Sequence, residues 1–183
     1  VRRRWRQRLP SRRSRSLRTA RPRSGYWNQS IRSERRGTQM TAVDSLKTYF
    51  ATSFAFYLKA HYYHWNIEGE NFPQYHSLLE TIYSDVYGSI DATAEFIRTL
   101  GQYAPGSFDR FEELSRVKGS NTIPPARDML TQLASDNKTV LTCIEDAYEA
   151  AEAEGEHGLS NFLAERQTAH KKWQWFLEST LKR

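Results

Sequence analysis

From Met40 onward, apolar side chains return every three or four positions, as they do in helices that bury one face. A first helix is predicted over about 42–67, on Leu46, Phe50, Phe54, Tyr57, Leu58, His61 and Trp65. The segment IEGENFP stops it, because Gly69 and Pro73 both break helices. A second helix over about 73–100 turns Leu78, Leu79, Ile82, Val86, Ile90, Ala94 and Ile97 inward and ends at Gly101. The stretch 102–125 reads as a long connection holding one short helix at about 108–116. Pro124 and Pro125 suit the first turn of a third helix, which carries Met129, Leu130, Leu133, Val140, Leu141, Ile144 and Tyr148 before Gly155 and Gly158 break it. A fourth fills about 159–181 on Leu159, Phe162, Leu163, Trp173, Phe176 and Leu181. No stretch alternates apolar and polar residues as a half-buried strand would. The pattern predicts an all-α protein of four long helices. Short joints make the first and second helices, and the third and fourth, antiparallel neighbours, while the long middle link carries the chain along the bundle.

Charge divides the chain in two. Residues 1–39 hold 14 Arg, no Lys and a single acid, Glu34, for a net of +13. Of the 27 basic and 21 acidic residues in the whole chain, 13 and 20 therefore remain for residues 40–183, a net of −7. The first part is built from Arg and Ser with few apolar residues and is expected to be a disordered basic tail. Three readings of it stand open. It can bind phosphate backbones by charge, it can be a transit peptide, or it can lie outside the natural protein, since Met40 opens an amphipathic helix. Cys143 is the only cysteine, so no intrachain disulfide or cysteine metal cluster is possible. Its apolar neighbours Val140, Leu141 and Ile144 predict a buried small side chain. No apolar run approaches the length of a membrane span, and a cytoplasmic protein is expected.

The second predicted helix carries the ligand-type residues. At about 100° per residue, His76, Glu80, Asp91 and Glu95 fall within one stripe roughly a quarter-turn wide. His76 with Glu80, and Asp91 with Glu95, are pairs one turn apart. The two pairs are about 22 Å apart on a straight helix at about 1.5 Å per residue. Metal–ligand bonds are only about 2 Å long. One chain therefore cannot close both pairs on a single ion, whereas two antiparallel copies related by a twofold axis can.

The stretch 64–101 resembles the signature of the Dps family, the mini-ferritins of the ferritin-like superfamily. The matching residues are His64-Trp65-Asn66, Gly69, Phe72, His76, Asp91, Glu95 and Leu100-Gly101, and a weaker likeness extends over 42–181. The resemblance implies a ferritin-like four-helix bundle with a short helix in the connection between its second and third helices, as the domain 40–183. It also implies a homododecamer with iron as its substrate. Ferrous iron would be oxidised, usually by hydrogen peroxide, at a centre between two subunits. His64 and His76 would come from one chain and Asp91 and Glu95 from its partner, with Glu80 as a supporting acid and Trp65 packed beside the metal. Carboxylates favour oxidised iron and imidazoles suit ferrous iron, so a mixed set can bind the reduced ion and tolerate the product. Many members also bind DNA and so would act at the nucleoid. One departure concerns the residue after the site Glu: it is often Arg in the family and is Phe96 here, with Arg98 two positions on.

Several residues keep two readings. His61, one turn before His64, is either an extra ligand or a packed aromatic. Glu145, Glu149, Glu152, Glu154 and Glu156 are either a solvated helix end or an acidic pore that draws in cations. The chief rival function is a DNA-coating protein acting through the Arg-rich tail. A di-iron bundle with two Glu-x-x-His motifs is disfavoured, because only Glu154 to His157 fits and it falls at the glycine break.

Overall fold

The computed structural model describes residues 40–182, and the expectations for residues 1–39 lie outside these. Six helices follow in order: α1 (Ala42–Asn66), α2 (Phe72–Gly88), α3 (Ile90–Thr99), α4 (Phe108–Leu114), α5 (Ala126–Glu154) and α6 (His157–Leu181). No strand occurs among the described residues. α1, α2 with α3, α5 and α6 make the four rods of the bundle, and α4 lies in the long connection.

Each boundary has a local cause. Thr41 caps α1 by accepting from the Asp44 amide at 3.2 Å, and the next orphan donor, Ala42 N–H, is taken by the Glu154 carboxylate at 2.8 Å. α5 starts after Pro125, which is its extended cap rather than a first-turn residue. It ends at Gly155, whose φ of 79° is the left-handed conformation that glycine adopts without strain. Only Gly155 and Glu156 separate α5 from α6, so these two are antiparallel neighbours and α6 begins two residues before its predicted start.

The second rod corrects the sequence expectation. A single helix over 73–100 is predicted, but the chain breaks at Ser89. Gly88 and Ser89 form the small-residue pair at which helices commonly kink. The Ser89 hydroxyl folds back to the Val86 carbonyl at 2.7 Å, and Thr93 returns both its amide, at 3.1 Å, and its hydroxyl, at 2.7 Å, to the Ser89 carbonyl. Side-chain bonds thus compete with the helical ladder at the break.

The core is spaced in alternating steps of three and four. Ala42, Leu46, Tyr49, Ser53, Phe56, Ala60, Tyr63 and Ile67 are the buried line of α1. Leu130, Leu133, Asn137, Val140, Ile144, Ala147 and Ala151 are that of α5. α6 contributes Leu159, Leu163, His170, Trp173 and Leu177. This spacing suits packing at a shallow crossing angle. Part of the stripe predicted for α1 points outward instead: Leu58 is 44% and Trp65 59% exposed. α1 therefore has a second apolar face. α4 covers part of it, with Phe111 stacked on Phe54 at 4.5 Å and edge-on to Phe50 at 5.4 Å. Cys143 is buried, its thiol 3.8 Å from the Thr52 hydroxyl.

The interior also holds polar groups. Asp85 accepts from Arg166 Nη2 at 2.7 Å, from Nη1 at 3.3 Å and from the Trp173 indole at 2.8 Å, tying α2 to α6. The amide of Asn137 donates to the His170 carbonyl and to Gln174, both at 2.9 Å. Its oxygen therefore faces His170 Nδ1, 2.7 Å away, which must carry the proton. Burial, reinforced by the Arg166 cation, pushes the His170 imidazole down to about 3. The unfolded chain takes up a proton at this histidine near its ordinary value of about 6.5, and the folded chain does not. Folded-state stability is thus fully present above that value and falls as the pH drops toward the folded value, at up to about 1.4 kcal/mol per pH unit. Lowering the pH from about 6.5 to 5, above the usual carboxylate range, is expected to lower the urea midpoint of the wild type more steeply than that of His170→Gln. Equal slopes would show that His170 does not carry the effect.

Candidate metal centre

The turn between α1 and α2 places two imidazoles against each other. Ile67 is buried and anchors the end of α1, Gly69 turns the chain at φ 116°, and Pro73 lies in the first turn of α2. His64, in the last turn of α1, and His76, one turn into α2, then stack with ring centroids 3.7 Å apart and planes 22° apart. Their hydrogen bonds are reciprocal. His64 Nδ1 lies 3.0 Å from the His76 carbonyl, and His76 Nδ1 lies 3.0 Å from the His64 carbonyl. Carbonyl oxygens only accept, so both Nδ1 atoms donate. In the neutral rings both Nε2 atoms therefore keep an unshared pair, the form in which imidazole ligates a metal. The His64 carbonyl is also one of the four that α1 cannot satisfy internally, so the pairing serves helix end and ligand at once.

Glu80 follows His76 by one turn on α2 and is exposed. Asp91 and Glu95 lie one turn apart on α3, both exposed, opposite the buried Thr93 and Ile97. The predicted site residues are thus divided. His64 and His76 meet, and Glu80 is on the same helix as His76. Asp91 and Glu95 stand beyond the break at Ser89, which the straight-helix stripe did not foresee. Among the described residues no three His, Cys, Asp or Glu side chains converge on a common point. Asp91 is in the first turn of α3, where a negative charge favours the helix.

Aromatic side chains surround the histidines. Trp65 is exposed, Phe72 lies 5.0 Å from His76, and Tyr83 meets His64 edge-on at 5.0 Å. His61 is stacked on Tyr83 at 3.8 Å and 13° and tilted against Trp65 at 4.2 Å. Burial and its neighbour His64 lower its pKa. His61 is thus packed among aromatic rings, with its Nδ1 3.4 Å from the Tyr57 hydroxyl. Arg98 leaves the acids alone; it bonds the Gln102 carbonyl at 3.0 Å and covers the Tyr103 ring at 4.3 Å. Of the acidic run at the end of α5, Glu154 is occupied in capping α1 and the others are exposed. His157 is exposed too, so the Glu154–His157 pair makes no site inside the bundle.

The sequence reading missed the buried polar side chains Asn137 and His170 and the half-buried pair Asp85 and Arg166. Their signal lay in their positions. Asn137 and His170 continue the three-and-four spacing of their buried neighbours, but a search for apolar residues alone passes over them.

Comparison with known proteins gives the class first. Residues 43–183 match the family profile of the ferritin-like domain. The chain covers 99% of a DNA protection during starvation protein from Helicobacter pylori, at 27% identity over 143 residues and 78% of this chain. It is 30% identical over 139 residues to a low temperature-induced protein of Nostoc sp., across 75% of this chain and 78% of that one. Among solved structures, the DPS protein of Vibrio cholerae O1 superposes with a TM-score of 0.74 at 28% identity, covering 77% of this chain and 89% of that one. That protein is described as a member of a broad superfamily of ferritin-like diiron-carboxylate proteins. Dps from Staphylococcus aureus gives a TM-score of 0.74 at 27% identity, over 78% of this chain and 95% of that one. The chain belongs to the Dps family.

Because Asp91 and Glu95 are exposed and make no ion pair among the described residues, neutralising them is expected to leave the fold intact. Asp91→Asn should cost no more than about 1 kcal/mol, the loss of a helix-end charge, and Glu95→Gln less than about 0.5 kcal/mol. Urea unfolding of both variants checks this. A loss of several kcal/mol would assign these acids a structural role instead.

Proposed function

We propose that this chain is a subunit of an iron-oxidising and iron-storing mini-ferritin. Residues 40–183 form its ferritin-like domain. Ferrous iron is the substrate, held by His64, His76 and Glu80 of one subunit and by Asp91 and Glu95 of a second copy. Each ferrous ion gives up one electron; one hydrogen peroxide accepts two and, with two protons, leaves as two waters. The ferric product is stored inside a homododecamer, in the cytoplasm, which removes both reagents of hydroxyl-radical chemistry. The observation that carries this reading is the reciprocal His64–His76 pairing, in which each Nδ1 is taken up by a carbonyl oxygen and each Nε2 is left out of the exchange, with Glu80 one turn beyond His76 on α2. The split of the ligand set between α2 and α3 supports a shared centre, since no three ligand-type side chains meet within the described residues of one chain.

His64→Ala and Asp91→Ala are each expected to cripple peroxide-dependent ferrous oxidation. After subunit exchange, a mixture of the two should regain about a quarter of the wild-type centres, because half the dimers are hybrids and each hybrid has one intact centre of two. No recovery despite verified exchange would overturn the shared centre.

A second reading, DNA protection through the tail, is favoured by the +13 charge of residues 1–39 and by relatives named for DNA protection. The remainder, at −7, repels DNA. A chain beginning at Met40 is expected to lose the gel shift that the full chain gives at low salt. Equal shifts by both would remove the tail from DNA binding.

A further inference from the structure

Aromatic side chains continue the histidine pair into a connected row. Tyr83 of α2 meets His64 edge-on, with ring centroids 5.0 Å apart, and stacks on His61 of α1 at 3.8 Å and 13°. His61 Nδ1 lies 3.4 Å from the hydroxyl of Tyr57, one turn earlier on α1. The Tyr57 ring is 5.0 Å from that of Tyr87, one turn beyond Tyr83 on α2. The row thus runs along both helices in step, away from His64, and ends at a phenol that is 59% exposed. Burying apolar surface does not account for an aromatic ring left in water at that end.

Tyrosine differs from its aromatic neighbours in what it can do with an electron. A phenol is oxidised more easily than a benzyl ring or a neutral imidazole, provided that its proton has an acceptor. The Tyr57 hydroxyl has one in His61 Nδ1. Rings in contact pass an electron from one to the next, so an electron drawn toward His64 can be replaced from the far end of the row. Phe54, edge-on to Tyr57 at 5.7 Å, offers no such electron, and the row does not continue on that side.

The stoichiometry of the reaction gives the row a use. One hydrogen peroxide takes two electrons, and each ferrous ion gives one. Where a single ferrous ion is bound, one electron is missing. We propose, resting on the iron-oxidising reading above, that Tyr57 and Tyr87 are a radical-holding site that supplies the missing electron. One ferrous ion, one hydrogen peroxide, one proton and one phenol then give one ferric ion, two waters and one tyrosyl radical. The O–O bond breaks, the phenol's electron travels by Tyr83, and its proton leaves by His61 and ends in water. A second ferrous ion later returns the electron and, with another proton, restores the phenol. The sum is two ferrous ions, one hydrogen peroxide and two protons giving two ferric ions and two waters, with no hydroxyl radical set free.

The full chain, mixed with fewer ferrous ions than centres and an excess of hydrogen peroxide and rapidly frozen, is expected to show a tyrosyl radical by electron paramagnetic resonance. Ring-deuterated tyrosine should narrow the signal, and ring-deuterated tryptophan should leave it unchanged. The double variant Tyr57→Phe/Tyr87→Phe is expected to lose most of it. Ferrous oxidation is followed in the same samples. Oxidation without a tyrosyl radical would overturn the proposal and leave the ferroxidase reading standing, and so would a radical that survives the double variant or one that resides on tryptophan. A chain that oxidises no ferrous iron with peroxide would lose both. The isotope labels decide the question in the wild type even where the variant fails to fold.

Discussion

The spacing of buried side chains in alternating steps of three and four is the constraint from which the rest of this structure follows. It lets α1, α5 and α6 lie almost along one another and bury a continuous line each. It also fixes which turns come together at each level of the bundle. His64 reaches His76 because α1 ends and α2 begins within one short turn, with Ile67 held in the core on one side and Pro73 stiffening the other. Without the packed rods, two histidines 12 positions apart in sequence would have no reason to exchange hydrogen bonds.

That exchange gives the site its chemical definition. An imidazole held only by packing can adopt either neutral tautomer. Here each ring is committed to one, because its Nδ1 faces a carbonyl oxygen. The cost of fixing the rings is offset by satisfying a helix-end carbonyl, so the arrangement is stable by itself. The carboxylates are prepared differently. Glu80, Asp91 and Glu95 stay in water, where a charged group pays no desolvation penalty.

Much of this was legible in the sequence, and the parts that were not share a physical origin. The four rods, the joint at Gly69 to Pro73 and the stop at Gly155 follow from local chemistry, and local chemistry survives folding. The break at Ser89 did not show because Gly88 and Ser89 sit inside an otherwise unbroken apolar pattern from Leu79 to Ile97, and such a pair is compatible with either a straight helix or a kink. The inward face of α1 was misread for another reason. Phe54, Tyr57, Leu58, His61 and Trp65 are apolar or aromatic enough to look like core, yet Leu58 and Trp65 are exposed. α1 carries two apolar stripes, and periodicity alone does not say which faces the chain's own core. The histidine pair was reached through a family likeness, because contacts between α1 and α2 depend on a turn geometry that spacing along one helix does not contain.

The polar interior shows what the bundle tolerates in return for its order. An Arg–Asp pair and a neutral histidine inside a helical core contribute less stability than well-packed apolar residues of the same size. They are directional, however, where apolar contacts are not. Asp85 accepts from both Arg166 and Trp173, so α6 can take only one rotation and one height against α2. Asn137 does the same between α5 and α6, bonding both the main chain and the ring of His170. Sliding α5 against α6 by one turn would leave Asn137 and His170 buried and unpaired, at about 1–3 kcal/mol for each lost partner. A core built from Leu and Ala alone would charge far less for such a slip. The register these bonds enforce is that of α2 and of α5 against α6.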